Sequence, residues 1–240
     1  MNYPRLNRHR GVSIGIALVA IQLVLAASLL VLHQRAASAL PPAPNPDDWD
    51  LPVPDMALTV LSGVERADDV ALTWRDDAVL SFVSLQVDWP TSPPPPTVTS
   101  VSPFGWLRVV YVAPVLGATS EYAALSMLFE RVSGALVSTS VSEWNSSGPL
   151  VPLLDGVSVS DETAILAGEL SGGTQFRSAC PDRRSQSGIS LTIDPATRER
   201  IWSIVYRESG RSAGSPMRIS VNASSGEVRE VRSGASTCAE

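Results

Sequence analysis

Ile201-Trp-Ser-Ile-Val-Tyr206, Met217-Arg-Ile-Ser-Val221 and Val228-Arg-Glu-Val231 are three short β-type runs, and in the first two apolar residues recur at every second position. That period places alternate side chains on opposite faces of a β-strand, one toward a core and one toward water. Ser225-Gly226 stands between the last two runs, where a tight hairpin needs a residue that tolerates positive φ. Upstream, Ile189-Ser-Leu-Thr-Ile193 adds a fourth strand of the same kind. Before it, Ser160-Asp-Glu-Thr163 reads as a capped, acidic helix start, followed by Ala164, Ile165, Ala167 and Leu170 and closed by Gly172-Gly173. The order is one helix followed by an antiparallel meander.

The first half shows the same order. A helix is predicted around Glu65 to Asp77, then strands over Val79–Trp89, Gly105–Val112, Leu125–Arg131 and Leu136–Val141. Val109-Val-Tyr111 corresponds to Ile204-Val-Tyr206, and Ser133-Gly134 to Ser225-Gly226. Loops differ between the halves: Pro93 to Pro96 interrupts the first, and Cys180 to Gly188 the second. The expected fold class is α+β: an N-terminal transmembrane helix, then two tandem units, each of one helix packed on a small antiparallel sheet. The expected layout is 1–10 cytoplasmic, 11–33 a signal anchor, 34–55 a Pro-rich stalk, 56–147 the first unit and 148–240 the second, joined near Gly148 to Pro152.

Gly11 to Leu32 carries no charged side chain and follows Arg5, Arg8 and Arg10. About 20 apolar residues span the ~30 Å hydrocarbon core as a helix, and a basic flank keeps the N-terminus in the cytoplasm. The expected localisation is the cell membrane, single-pass, with the C-terminal part extracytoplasmic. Ala37-Ser-Ala39 also offers a small-x-small cleavage pattern, so secretion after cleavage near Ala39 is the alternative. Leu40 to Pro54 holds six prolines and predicts an extended tether with a reach of about 45 Å in polyproline geometry.

Composition removes many mechanisms. His9 and His33 are the two histidines and flank the apolar run, so the expected exported part has none; the chain has no lysine, all 18 basic residues being arginine. Histidine-dependent triads, His-x-x-x-His zinc sites, Ser-Lys dyads and Schiff-base chemistry are absent with them. All 24 acidic residues lie beyond residue 40, against 14 arginines there, a balance of −10 that opposes nucleic-acid binding. Cys180 and Cys238, in a compartment where oxidation is favoured, predict one structural disulfide. On the chain-entropy model it would contribute about 4 kcal/mol.

The helix with Ala164 and Ala167, the run Trp202-Ser-Ile-Val-Tyr206, and the hairpin Ile219-Ser-Val-Asn-Ala-Ser-Ser-Gly-Glu-Val228 together resemble the PepSY-type domain. That family's closing hairpin reads Val-Asp-Ala-x-Thr-Gly-Glu-Val; here Asn222 stands for the Asp and Ser225 for the Thr, and both keep the turn chemistry. The first half resembles it as a degenerate copy. The resemblance implies a non-catalytic, membrane-tethered module that binds a peptide or modulates a peptidase. It implies no cofactor and no catalytic residue.

Other candidates are local. Arg177, Arg183 and Arg184 form one basic cluster beside Cys180 and, with Trp49 in the tether, are the candidate partner-binding residues. Trp106 and Trp202 sit in alternating runs and are expected in the core. Glu65, Asp68, Asp69, Asp76 and Asp77 crowd the first helix but match neither an EF-hand nor a catalytic spacing, and solvent-face roles account for them. Leu154-Asp155-Gly156 reads as a turn. Two further function classes compete with binding: a hydrolase of the glycosidase kind using carboxylates alone, and a structural envelope component.

Overall fold

The computed structural model describes residues 40–90, 98, 100–115, 122–144, 152–179, 184–208 and 215–234. The expected cytoplasmic segment 1–10, the anchor 11–33, the cleavage pattern at Ala39, Arg183 and both cysteines, Cys180 and Cys238, lie outside these residues. Among the described residues no helix is long and apolar enough to cross a membrane.

Helix α1 (Val60–Trp74) is followed by strands β1 (Val79–Trp89), β2 (Gly105–Pro114), β3 (Tyr122–Glu130) and β4 (Leu136–Trp144). Helix α2 (Asp161–Gly168) is followed by a kinked turn (Glu169–Gly173) and the short α3 (Thr174–Ser178). Strands β5 (Ser185–Ile193), β6 (Arg200–Glu208), β7 (Met217–Asn222) and β8 (Val228–Arg232) complete the chain. Each half is a meander of four antiparallel strands.

The expectation of two tandem units, each with its own sheet, is overturned. All eight strands form one antiparallel sheet in the order β4-β3-β2-β1-β5-β6-β7-β8. The seam is β1 against β5, paired over seven positions from Val83↔Leu191 to Trp89↔Ser185. The reason is edge chemistry: separate units would leave β1 and β5 as open edges carrying apolar rows, and pairing them satisfies both ladders. Trp89 Nε1 donates to Ser187 Oγ at 2.8 Å across the seam.

The helices cover one face. On β1, Val83, Leu85, Val87 and Trp89 point into a single core shared by both halves, together with Leu107, Val109, Leu125, Met127, Ile189, Leu191, Trp202, Ile204 and Ile219. Helix α1 begins five residues before its expected start because Thr59 caps it in a box with Ser62, not with the Glu or Gln that usually marks one. It buries Val60, Gly63, Val64, Ala67, Val70 and Ala71, a helical stripe. A Cβ on Gly63 would stand 1.7 Å from Leu107 Cδ2, so the helix lies directly on β2.

Helical geometry breaks at the expected Gly172-Gly173, where Gly172 takes φ 126 and ψ −9, and the chain kinks there into the short α3, which runs to Ser178. The bare Gly173 makes room for Tyr206, whose ring comes within 2.5 Å of where a Gly173 Cβ would be. The two Ser-Gly hairpins stand where the sequence placed them, with Gly134 at φ 67 and Gly226 at φ 78. Asn222 is buried, and its Oδ1 accepts from the Ser224 and Ser225 amides at 2.8 and 2.9 Å, which pins the closing turn.

The Pro-rich tether is not free. Asn45 caps a 3-10 turn over Pro46–Asp48, Trp49 and Leu51 pack against the core, and Thr139 donates to the Pro44 carbonyl. Arg66 reaches Gly134 O at 3.4 Å and also the Pro52 carbonyl. Residues 41–54 thus run along β4 on the core face, beside α1. Trp49, expected to be exposed, is half-buried there.

Candidate functional site

Among the described residues, three kinds of place hold chemistry: two buried ionic clusters, the uncovered face of the sheet, and its two outer edges.

The first cluster contains Arg177. It does not stand in a surface patch with Arg184. It is buried, its Nη2 2.6 Å from Glu169 Oε2 and its Nε 3.3 and 3.2 Å from the two carboxylate oxygens. Thr174 Oγ1 donates to Glu169 at 2.8 Å, and the guanidinium lies 4.0 Å from the centre of the Trp89 ring. The buried Tyr206 hydroxyl faces this pair without completing a hydrogen bond; desolvation first, then the Glu169 charge, raises its pKa. Glu169 stands at the end of α2, and the kink at Gly172 lets α3 bring Arg177 back over it. Arg184 is exposed at the start of β5.

The second cluster had no sequence signal. Arg131, just past β3, is fully buried. Its Nε donates to Leu58 O at 2.8 Å, Nη1 to the Ser102 carbonyl, and Nη2 to Glu162 Oε1 at 3.1 Å. It ties the start of α1, the β1–β2 connection and the first turn of α2 together. Beside it Asp161 is buried, and neither of its carboxylate oxygens completes a hydrogen bond. Burial, with the Glu162 charge adding to it, pushes Asp161 up to about 6; the backbone N–H groups of Val60 and Asp161, near the carboxylate but outside hydrogen-bonding geometry, and the Arg131 charge pull the other way and lose. Arg131 itself is lowered, again mainly by burial.

A raised carboxyl binds its proton more tightly folded than unfolded. Stability from Asp161 is therefore greatest below about pH 4 and declines as pH rises toward 6. Asp161→Asn is expected to flatten that slope and to raise stability at pH 7 by up to about 3 kcal/mol, at about 1.4 kcal/mol per pKa unit. Urea unfolding at pH 4, 5, 6 and 7 checks it; an unchanged slope would refute the assignment.

The uncovered face carries the even-numbered side chains of β1 and their neighbours. Ser84, Ser190, Ser203 and Ser220 stand abreast on β1, β5, β6 and β7, a row of about 14 Å at the usual strand spacing. Next to it run Trp106, Gln86, Gly188 and Val205. Nothing lies within 4 Å of where a Gly188 Cβ would be. The missing side chain leaves a trough of about 340 Å3 lined by Phe82, Ser84, Gln86, Gln186, Ser190 and Arg207 among others. Trp106 was expected in the core; it is 38% exposed on this face, while Trp202 is fully buried with Nε1 donating to Val159 O at 2.9 Å. Val110, Val112, Ala124, Phe82, Tyr122 and Trp144 form an apolar patch on the same face.

The edges differ. β8 carries Arg229, Glu230 and Arg232 in five residues and a register shift beside Val221. β4 reads Leu-Val-Ser-Thr-Ser-Val-Ser-Glu-Trp, with Glu143 its one charge, no proline, and a shift only at its Leu136 end. Charges and bulges are the ordinary protection of an edge, and β4 largely lacks them.

The acidic residues around α1 are dispersed into structural roles: Tyr111 donates to Asp68, and Arg75 to both oxygens of Asp77 at 3.0 and 2.8 Å. Among the described residues no three His, Cys, Asp or Glu side chains converge as metal ligands.

No family model matches this chain and no curated protein matches it, so the PepSY-type resemblance rests on its own residues. Among solved structures, the crystal structure of a "putative lipoprotein" from Clostridium difficile 630 is similar at 13% identity and a TM-score of 0.45, over 75% of this chain and 95% of that one.

Proposed function

We propose that this chain is an extracytoplasmic, membrane-tethered, non-catalytic binding protein that captures an extended polypeptide segment along β4. The charge-free stretch within residues 11–33 and its arginine flank support the tether. The observation that carries the binding reading is the β4 edge: nine residues, one charge, no proline, ending an eight-stranded sheet. A strand added there gains main-chain hydrogen bonds, and pockets for alternate side chains give selectivity. The PepSY-type resemblance singles out a peptidase as the partner class, acted on by modulation.

A photoreactive side chain at Ser140, in the full chain within membranes, is expected to give a discrete protein adduct, whereas the same group at Ser220 in the sheet interior gives none. Ser140→Pro should abolish the adduct formed from Ser142. Equal labelling at Ser140 and Ser220, or none at Ser140, would overturn the edge reading. An adduct with a protein that is not a peptidase would retain the edge and remove the peptidase.

A further inference from the structure

We infer that the trough over Gly188 is a carbohydrate site, taking an uncharged oligosaccharide with its rings laid across β1, β5 and β6. The site is separate from the β4 edge and does not depend on it.

The ligand class follows from the polar groups of the trough and how each is held. Gln86 Nε2 and Gln186 Nε2 both donate to Asp88 Oδ1, at 3.1 and 2.9 Å. One carboxylate thereby fixes two amides from neighbouring strands, and neither amide oxygen accepts a hydrogen bond from a described residue. Arg207 stands next to Gln186 in register and makes no hydrogen bond or ion pair with a described residue. The hydroxyls of Ser84 and Ser190 are likewise unbonded among the described residues, and each can donate or accept. Arg207 is the one charged residue in the lining, and Asp88 lies outside it, holding the two amides, so the trough gives no hold to a cation. What it offers is an array of fixed acceptors, one planar donor fork and adaptable hydroxyls. A polyol, whose every hydroxyl is both donor and acceptor, complements that array.

Apolar contact comes from two rings. Trp106 is the register partner of Gln86 and is partly exposed beside the amides, and Phe82 lines the other end of the trough. An indole with one face in water is suited to the C–H face of a sugar ring, apolar on one side and hydroxylated at its rim. A glycine inside a strand leaves space for close approach of another molecule, and Gly188 provides the floor. The volume, about 340 Å3, is at the lower end of small-molecule sites. Gln186 also lines a second depression with Asp88 and Phe104, so the surface continues past one ring, which favours an oligosaccharide over a monosaccharide. A peptide is disfavoured on this face because the strand amides beneath are all committed to the sheet.

The test is calorimetric titration of the full chain in detergent micelles with chitotetraose, cellotetraose and maltotetraose, and with an extended Ser/Thr-rich peptide as the competing class. At least one tetrasaccharide is expected to bind, and more tightly than its disaccharide. Gly188→Leu, which fills the trough, and Trp106→Ala, which removes the ring, should each weaken binding at least about tenfold. Ser140→Lys should leave it unchanged, which separates this site from the β4 reading. Circular dichroism and melting of both variants establish that they are folded. Absence of binding by every sugar at millimolar concentration, undiminished binding by both folded variants, or binding of the peptide in the trough instead would overturn the inference.

Discussion

Arg177→Met is expected to destabilise the protein by about 3–5 kcal/mol, because it strands the Glu169 carboxylate in a site where that side chain is 1% exposed. The guanidinium supplies three contacts to Glu169 and covers the Trp89 ring, so the change removes a charge partner and a packing surface together. Adding Glu169→Leu should recover most of the loss: a buried ion pair replaced by apolar groups of similar volume is often neutral or better, whereas half of one is not tolerated. The deficit of the single variant should also shrink as pH falls, since the orphaned carboxylate can then take up a proton. Urea unfolding of both variants decides the matter. A double variant as unstable as the single one would show that the pair is needed for the path of the kink between α2 and α3 and not merely for charge compensation.

Arg131→Met is expected to cost a similar amount, about 3–5 kcal/mol, by a different route. The methionine keeps the length of the stem but leaves Leu58 O and Ser102 O without their donor and takes the cation away from Glu162. Arg131→Lys should lose less, because the charge stays while the planar fork that reaches three elements at once is gone. Since Leu58 N donates to the Arg131 carbonyl at 2.8 Å, hydrogen exchange at Leu58 is a local readout: faster exchange is expected in both variants. Unchanged protection there, with global stability unaltered, would mean that Arg131 is held by the fold and does not hold it.

Much of the strand content was legible because it depends on a local rule. Alternation in Ile201–Tyr206 and Met217–Val221 reports a half-buried strand wherever in a sheet the strand lies, and the Ser-Gly turns mark positions that need positive φ. Partnership is not local. Val83, Leu85 and Val87 give the same pattern whether β1 is an edge or a seam, so the residues that fuse the halves gave no sign of it. Alternation also does not say which face is covered, and Trp106 and Trp202 point to opposite sides of one sheet for that reason. Arg177 stands out in the sequence for its charge among Arg183 and Arg184; the two adjacent glycines mark the helix end, but not that a further helix follows the kink and turns Arg177 inward. Arg131 carried no signal, since a lone arginine before Val-Ser-Gly looks like any solvated hairpin residue. The open trough depends on Gly188 having neighbours on both sides, and a glycine beside a loop is ordinarily read as part of the loop.

The seam also has a consequence in time. Trp89 meets Ser187, a partner 98 residues further along the chain. During synthesis the N-terminal meander can form its own ladder, but its β1 border has nothing to lie against until β5 has been made. For that interval the molecule presents a straight, apolar, unpaired rim, the condition in which nascent chains are cut or stick to one another. Closure over such a long loop is entropically slow. A nascent chain stalled before Ser185 should therefore be far more sensitive to protease than the finished one, and become resistant in a single late step.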